Sequence, residues 1–339
     1  MSAPAAVFSS SGYAPRVGAR KLAMGVSSWL GNGEQDAEAL ASQAELAESL
    51  GFHSFWLPES HFTGEEAEPA PLLRLAAVAS RTRRIGLGTS SFLLPLRHPL
   101  LSAEEVAVLD QLSGGRVILG VGRGFRRATF EAFDIPPREK RDRFEAALTA
   151  MLAAWRGEPV TWEALPDGGG SRPLRLSPLP LQKPHPPIWV AAFGPKALAQ
   201  AGRLGLPYLA SPIESLVRLT ENYARHRAVL AECDHSLEID VPVMRTIFTH
   251  RDAGVLSRAR VALAKEAQMW SRMKLTGPGD SIEDIDSWAL VGEPEAVSDG
   301  LHTYREKLGM THLIARPRVS GLEPESCVES LGLLAELAL

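Results

Sequence analysis

The stretch Leu109-Asp110-Gln111-Leu112-Ser113-Gly114-Gly115-Arg116-Val117-Ile118-Leu119-Gly120-Val121-Gly122-Arg123-Gly124 holds one complete passage from helix to strand to loop. Residues 100–112 carry a helical pattern, and Ser113-Gly114-Gly115 reads as the turn that ends it. Val117-Ile118-Leu119-Gly120 is apolar without alternation, the pattern of a strand covered on both faces. The glycines at 120, 122 and 124 then lead the backbone out of the strand.

The same unit recurs in both directions. Before it, strands are read at residues 22–26, 54–57 and 85–88, with helices at 35–50 and 71–80 between them. After it comes a long helix at 140–155. Between Gly157 and Pro187 the rhythm breaks, with eight prolines and the run Gly168-Gly169-Gly170. Proline withholds a donor and breaks helices, so 157–187 reads as an insertion that crosses the surface. Strands resume at 188–191, 208–210, 241–249 and 312–315, with helices at 195–204, 216–233, 255–273, 295–308 and 324–338. Eight short apolar strands, each followed by a helix, predict an α/β fold, a (β/α)8 TIM barrel with insertions. A doubly wound open sheet is the alternative. Residues 1–20 read as a disordered arm and 21–339 as a single domain.

Composition narrows the function. The chain has 339 residues, 45% hydrophobic and 22% charged, with a net charge of −4. No basic field draws it to nucleic acid or to anionic lipid. Its two cysteines, Cys233 and Cys327, form no Cys-x-x-Cys pair, so no thiolate zinc site or redox dithiol is expected. No run has the roughly 18 apolar residues of a membrane span. The first residues lack the pattern of a secretory signal, and a cytoplasmic protein is expected.

In such a barrel the chemistry lies where strands end. Glu59, Ser60 and His61 follow the second strand, Ser90 and Ser91 the third, Gly122-Arg123-Gly124 the fourth, and Phe193-Gly194 the fifth; Arg316 follows the last. The set is poor in metal ligands, and no Gly-x-Ser-x-Gly elbow occurs. Gly120–Gly124 is not the Gly-x-Gly-x-x-Gly fingerprint. It is either a flexible junction or a place where backbone approaches an anion, with Arg123 supplying charge. Arg141, at the start of the next helix, is either a second anion ligand or a solvated arginine. Gly194-Pro195-Lys196 opens another helix and is a third candidate. Convergence of these segments on one phosphate is the working expectation.

Several motifs together resemble the bacterial luciferase-like flavin-dependent monooxygenases. They are Gly51-Phe52-His53-Ser54-Phe55-Trp56-Leu57-Pro58-Glu59-Ser60-His61-Phe62; Leu94-Pro95-Leu96-Arg97-His98-Pro99 with Ala103-Glu104-Glu105; residues 109–124; Pro186-Pro187-Ile188-Trp189-Val190-Ala191-Ala192; and Val291-Gly292-Glu293-Pro294-Glu295. The likeness spans about residues 21–338. It implies a (β/α)8 barrel that binds reduced FMN without a covalent link, the flavin coming from a separate reductase, and a homodimer. Some relatives use the deazaflavin F420 as hydride carrier instead. Carried onto this chain, Arg123 and Arg141 fall on positions that hold the flavin phosphate, and Gly122 and Gly124 flank the first of them. Gly194, Pro195, Lys196 and Ala197 fall where a serine and a threonine help hold it in luciferase. Those hydroxyls are missing here, which leaves backbone N–H groups or Lys196. Ser90-Ser91 falls on a non-prolyl cis peptide beneath the flavin ring.

One departure bears on the chemistry. Luciferase has two adjacent histidines after the glutamate, the first of them catalytic; here Ser60 stands at that position and only His61 follows. His61 is either catalytic or bonded to neighbouring loops, Glu59 either acts or orients the loop, and Ser60 offers a hydroxyl near the flavin. Trp29, Phe62, Phe92, Phe125 and Phe193 are candidate pocket walls, and residues 276–286 a candidate lid. Three readings follow. The first is oxygenation of a small organic substrate with reduced FMN and O2. The others are F420-dependent hydride transfer and non-catalytic flavin binding.

Overall fold

A computed structural model describes residues 21–29, 37–64, 67–160, 173–272 and 282–337. The arm expected at 1–20, the middle of the Pro-rich stretch (161–172) and the first part of the expected lid (276–281) lie outside the described residues. The elements in chain order are β1 (Ala23–Ser27), α1 (Ala37–Ser49), β2 (Ser54–Leu57), α2 (Pro71–Arg81), β3 (Gly86–Thr89), β4 (Phe92–Leu93), α3 (Pro99–Ser113), β5 (Val117–Gly122), α4 (Arg127–Ala132) and α5 (Lys140–Trp155). They continue with β6 (Ile188–Ala191), α6 (Pro195–Arg203), β7 (Tyr208–Leu209), α7 (Leu216–Glu232), β8 (Pro242–Thr249), α8 (Ala253–Arg272), β9 (Ala289–Gly292), α9 (Pro294–Leu308), β10 (His312–Arg316) and α10 (Pro324–Ala335). No helix among the described residues is long and apolar enough to cross a membrane.

The eight expected strands are all present. Three elements are additions to the expected pattern. β4 has two residues, too few to show a period. α4 has six and no side-chain cap at its start, so it lacks the usual entry signal. β9 alternates buried and half-buried positions over four residues, a run too short to separate from loop.

The chain divides into two compact units, Leu57–Ile188 and Met1–Trp56 with Trp189–Leu339. In the first, β3 and β5 are buried at every position and pair in parallel, Leu87 opposite Val117 and Gly88 opposite Ile118. β4 pairs with the far end of β5, Phe92 opposite Val121 and Leu93 opposite Gly122. The residues of the opening stretch hold this frame. The Arg116 guanidinium donates to the carbonyls of Ser113, Ile85, Ala79 and Thr82, and so closes the end of α2 onto the start of β5. The buried Asp110 carboxylate accepts from the Gln182 amide at 2.9 Å and from its side chain at 2.7 Å. That pair ties the Pro-rich stretch to α3. The described parts of the stretch contribute one isolated antiparallel bridge, Val160 to Leu174, and no helix.

In the second unit, β2, β1, β10, β8 and β9 lie side by side in parallel, and β6 pairs with β7. A single bridge, Ala210 to Val243, joins β7 to β8. Gly25 of β1 is pressed against the Ser54 hydroxyl and the Trp56 indole. Trp56 stacks on Trp189 with centroids 5.1 Å apart, and His312 meets Trp189 edge-on at 4.9 Å. Glu214 is a buried carboxylate that accepts from Tyr208, from Asn222 and from the Ser211 amide. Burial pushes its pKa up, against the pull of those hydrogen bonds and of Arg245. Both cysteines are free; Cys327 is buried and Cys233 half-buried.

Candidate active site

In the unit Leu57–Ile188 the loop after β2 is organised by Glu59. Its carboxylate has no solvent exposure. Oε2 accepts from the Leu93 amide at 2.8 Å. Oε1 accepts from Arg97 at 2.5 Å and from His61 Nε2 at 2.7 Å. Arg97 is itself seated over the Phe92 ring at 4.3 Å. With both oxygens engaged, Glu59 fixes residues 59–62 against β4. Glu59 thereby orients the loop, and His61 is bonded to it, an arrangement compatible with either of the His61 roles open at the outset. The His61 ring packs edge-on to Phe133 at 5.1 Å. Phe62, at φ 56°, is held in the left-handed region that bulky residues rarely adopt. Ser60 turns elsewhere: its backbone pairs with Glu68, and its hydroxyl oxygen accepts from the Glu68 amide at 3.0 Å.

The end of β3 meets the end of β5. The Ser90–Ser91 peptide is cis, and the Ser90 amide donates to the Leu57 carbonyl at 2.8 Å. The Ser91 hydroxyl lies where a Cβ on residue 122 would stand, so Gly122 is required by close approach. Gly124 sits at φ 70° with the Phe130 ring beside it.

Just beyond, three cations share one region. Arg123 makes no hydrogen bond or ion pair among the described residues. Burial lowers its pKa, and Arg141 lowers it further. Lys140 is lowered by burial first, then by Arg123 and Arg141. Its ammonium lies 3.4 Å from the Gly124 carbonyl and 6.0 Å from the Phe130 centroid. Lys140 and Arg141 open α5, where the helix dipole already repels positive charge. Like charges gathered in this way favour an anion. Lys140 was missed in the sequence because a lysine on a helix reads as a solvated surface residue. Arg97 was quoted in a motif without a role, since its partner Glu59 is remote in sequence.

In the other unit, Gly194 opens α6 at φ 82°, with Pro195 as the first helical residue. Pro195 and Lys196 are exposed. Ala197 is buried, and its amide donates back to the Gly194 carbonyl at 3.1 Å. The helix's own first turn thus engages that N–H. Two candidate walls, Trp29 and Phe92, are buried core residues, while Phe62, Phe125 and Phe193 are exposed. At the end of β10, Arg316 reaches Thr246 at 3.3 Å and Glu266 at 3.2 Å, beside the Trp270 ring.

Comparison with known proteins adds the family. The sequence pattern of the luciferase-like monooxygenases matches residues 21–312. The chain is 37% identical over 205 residues to the uncharacterised protein y4wF of Sinorhizobium fredii, covering 58% of each. The matched stretch therefore spans little more than half of that relative. Over 276 residues it is 36% identical to 4-hydroxyprotoasukamycin monooxygenase of Streptomyces nodosus subsp. asukaensis, covering 77% of this chain and 69% of that one. The crystal structure of the monooxygenase RslO1 from Streptomyces bottropensis superposes with a TM-score of 0.75 at 27% identity, over 92% of this chain and 97% of that one. The expected α/β fold class, the (β/α)8 type, is the one shared with these neighbours. The chain belongs to the luciferase-like monooxygenase family.

Proposed function

We propose that the protein is a flavin-dependent monooxygenase that uses reduced FMN and O2 to oxidise a small organic substrate. The reduced flavin comes from a separate reductase. The reading includes a cytoplasmic homodimer. The observation that carries it is the gathering of Arg123, Lys140 and Arg141 around the glycine junction after β5, with Arg123 lacking any partner among the described residues. This donor set fits a phosphate: two guanidinium groups beside the glycine junction, and no carboxylate among the groups that perturb Arg123 or Lys140.

In this reading Arg123 and Arg141 hold the flavin phosphate, and Gly122 and Gly124 let backbone come close to it. Ser90 and Ser91 form the floor for the ring. Glu59 and Arg97 keep His61 and the loop 59–62 in place, with Phe133 edge-on to the His61 ring. Reduced FMN, when bound, supplies the electrons that activate O2. The chain's own task is to orient, exclude water and control protons at that edge.

The test supplies reduced FMN from an unrelated reductase under 18O2 with a panel of small organic substrates. Transfer of one labelled oxygen atom to a product is the expected result. Substrate oxidation or reduction that requires F420 and proceeds without O2 overturns the reading, and peroxide as the sole product across the panel favours non-catalytic flavin binding.

A further inference from the structure

Two cations suffice to balance the two charges of a phosphate monoester, yet three are gathered here. The third, Lys140, is not a loosely solvated side chain. Its ammonium stands over the Phe130 ring, 6.0 Å from the centroid, and lies 3.4 Å from the carbonyl of Gly124, next to Arg123. Phe130 is buried and lies beside Gly124, so the ring and the carbonyl that the ammonium faces belong to the same junction. At the first turn of α5 its charge is disfavoured by the helix dipole, and the neighbouring arginines add to the cost. An anion at the junction would relieve all of these at once.

We infer that Lys140 is a third phosphate ligand, and that it makes the site selective for a terminal phosphate monoester, as in FMN, over a phosphate diester, as in F420. The inference rests on the phosphate site proposed above and deepens it. A monoester near neutral pH carries close to two negative charges, because its second pKa is about 6. A diester phosphate carries one, and so gains less from a third cation.

The experiment uses the full chain and anaerobic titration with FMN, riboflavin and F420. Two variants are compared with the unsubstituted protein: Lys140→Met, which keeps an unbranched apolar side chain and removes the charge, and Lys140→Arg, which keeps the charge. Loss of one charge-assisted contact should weaken FMN binding roughly tenfold in Lys140→Met. Riboflavin should stay within about twofold, F420 should lose clearly less than FMN, and Lys140→Arg should retain most of the FMN affinity. Unchanged FMN affinity in Lys140→Met overturns the inference, as does an equal loss for FMN and riboflavin. An equal loss for FMN and F420 overturns the selectivity. Failure of the underlying phosphate site would be visible separately, as an unsubstituted protein that binds FMN no better than riboflavin.

Discussion

Glu59 Oε1 lies 2.7 Å from His61 Nε2, inside a carboxylate that has no exposure of its own. Arg97 holds the same oxygen from the other side, and the Leu93 amide holds Oε2. The histidine is thus fixed by a group that is also needed to join the loop after β2 to β4.

Glu59→Gln keeps the shape but leaves Arg97 facing a neutral amide. Breaking one partner out of a mostly buried ion pair costs about 3 kcal/mol. Urea unfolding should show a loss of that order. A change below about 0.5 kcal/mol would show that the three contacts contribute little.

Gly122→Ala should destabilise the protein by about 1–3 kcal/mol, because its Cβ meets the Ser91 side chain. Ser91→Gly removes the obstructing atoms. The double variant should therefore recover most of the loss, giving a clear coupling energy in a double-mutant cycle. Strict additivity would mean that the strain arises elsewhere.

Arg116→Lys tests the frame. A lysine has three donors on a flexible stem and does not reproduce a planar fork aimed at several carbonyls. Orphaned buried acceptors cost about 1–3 kcal/mol. The variant should lose that much stability, read as a lower denaturation midpoint, while a surface arginine such as Arg127 should tolerate the same change.

Burial brings the His226 imidazole down to about 4, with its Nε2 donating to the Leu206 carbonyl at 2.9 Å. Above pH 6.5 the ring is neutral in both folded and unfolded chains. Between about 6.5 and 4 only the unfolded chain takes up the proton, so stability falls as pH falls through that window. The contribution is on the order of 2–3 kcal/mol between pH 7 and 4.5. His226→Gln, which retains a donor, should flatten that part of the pH profile; an unchanged slope would contradict the assignment.

The fold was legible because its strands are short, apolar and unalternating, and because the Pro-rich stretch carries its own signal. The elements that escaped are those too short to show a period, β4 and β9, or without a cap, α4. The resemblance motifs proved to be partly structural in content. Trp56 and Trp189, from two separate motifs, stack on each other, and Asp110 and Arg116 brace α2, α3 and the Pro-rich stretch. In the candidate site, Glu59, His61, Arg123 and Arg141 were legible from their places after strands and at a helix start. Arg97 and Lys140 were not. Their significance lies in contacts across the fold, with Glu59 and with the Gly124 carbonyl, and no local pattern encodes such contacts.

The central claim is a flavin phosphate held by Arg123. Its most direct test is anaerobic titration of the full chain with reduced FMN, beside the Arg123→Ala variant. Saturable one-to-one binding, weakened roughly tenfold or more by the substitution, is the predicted result. Equal affinity in the two proteins, or binding of reduced F420 with none of reduced FMN, would contradict it.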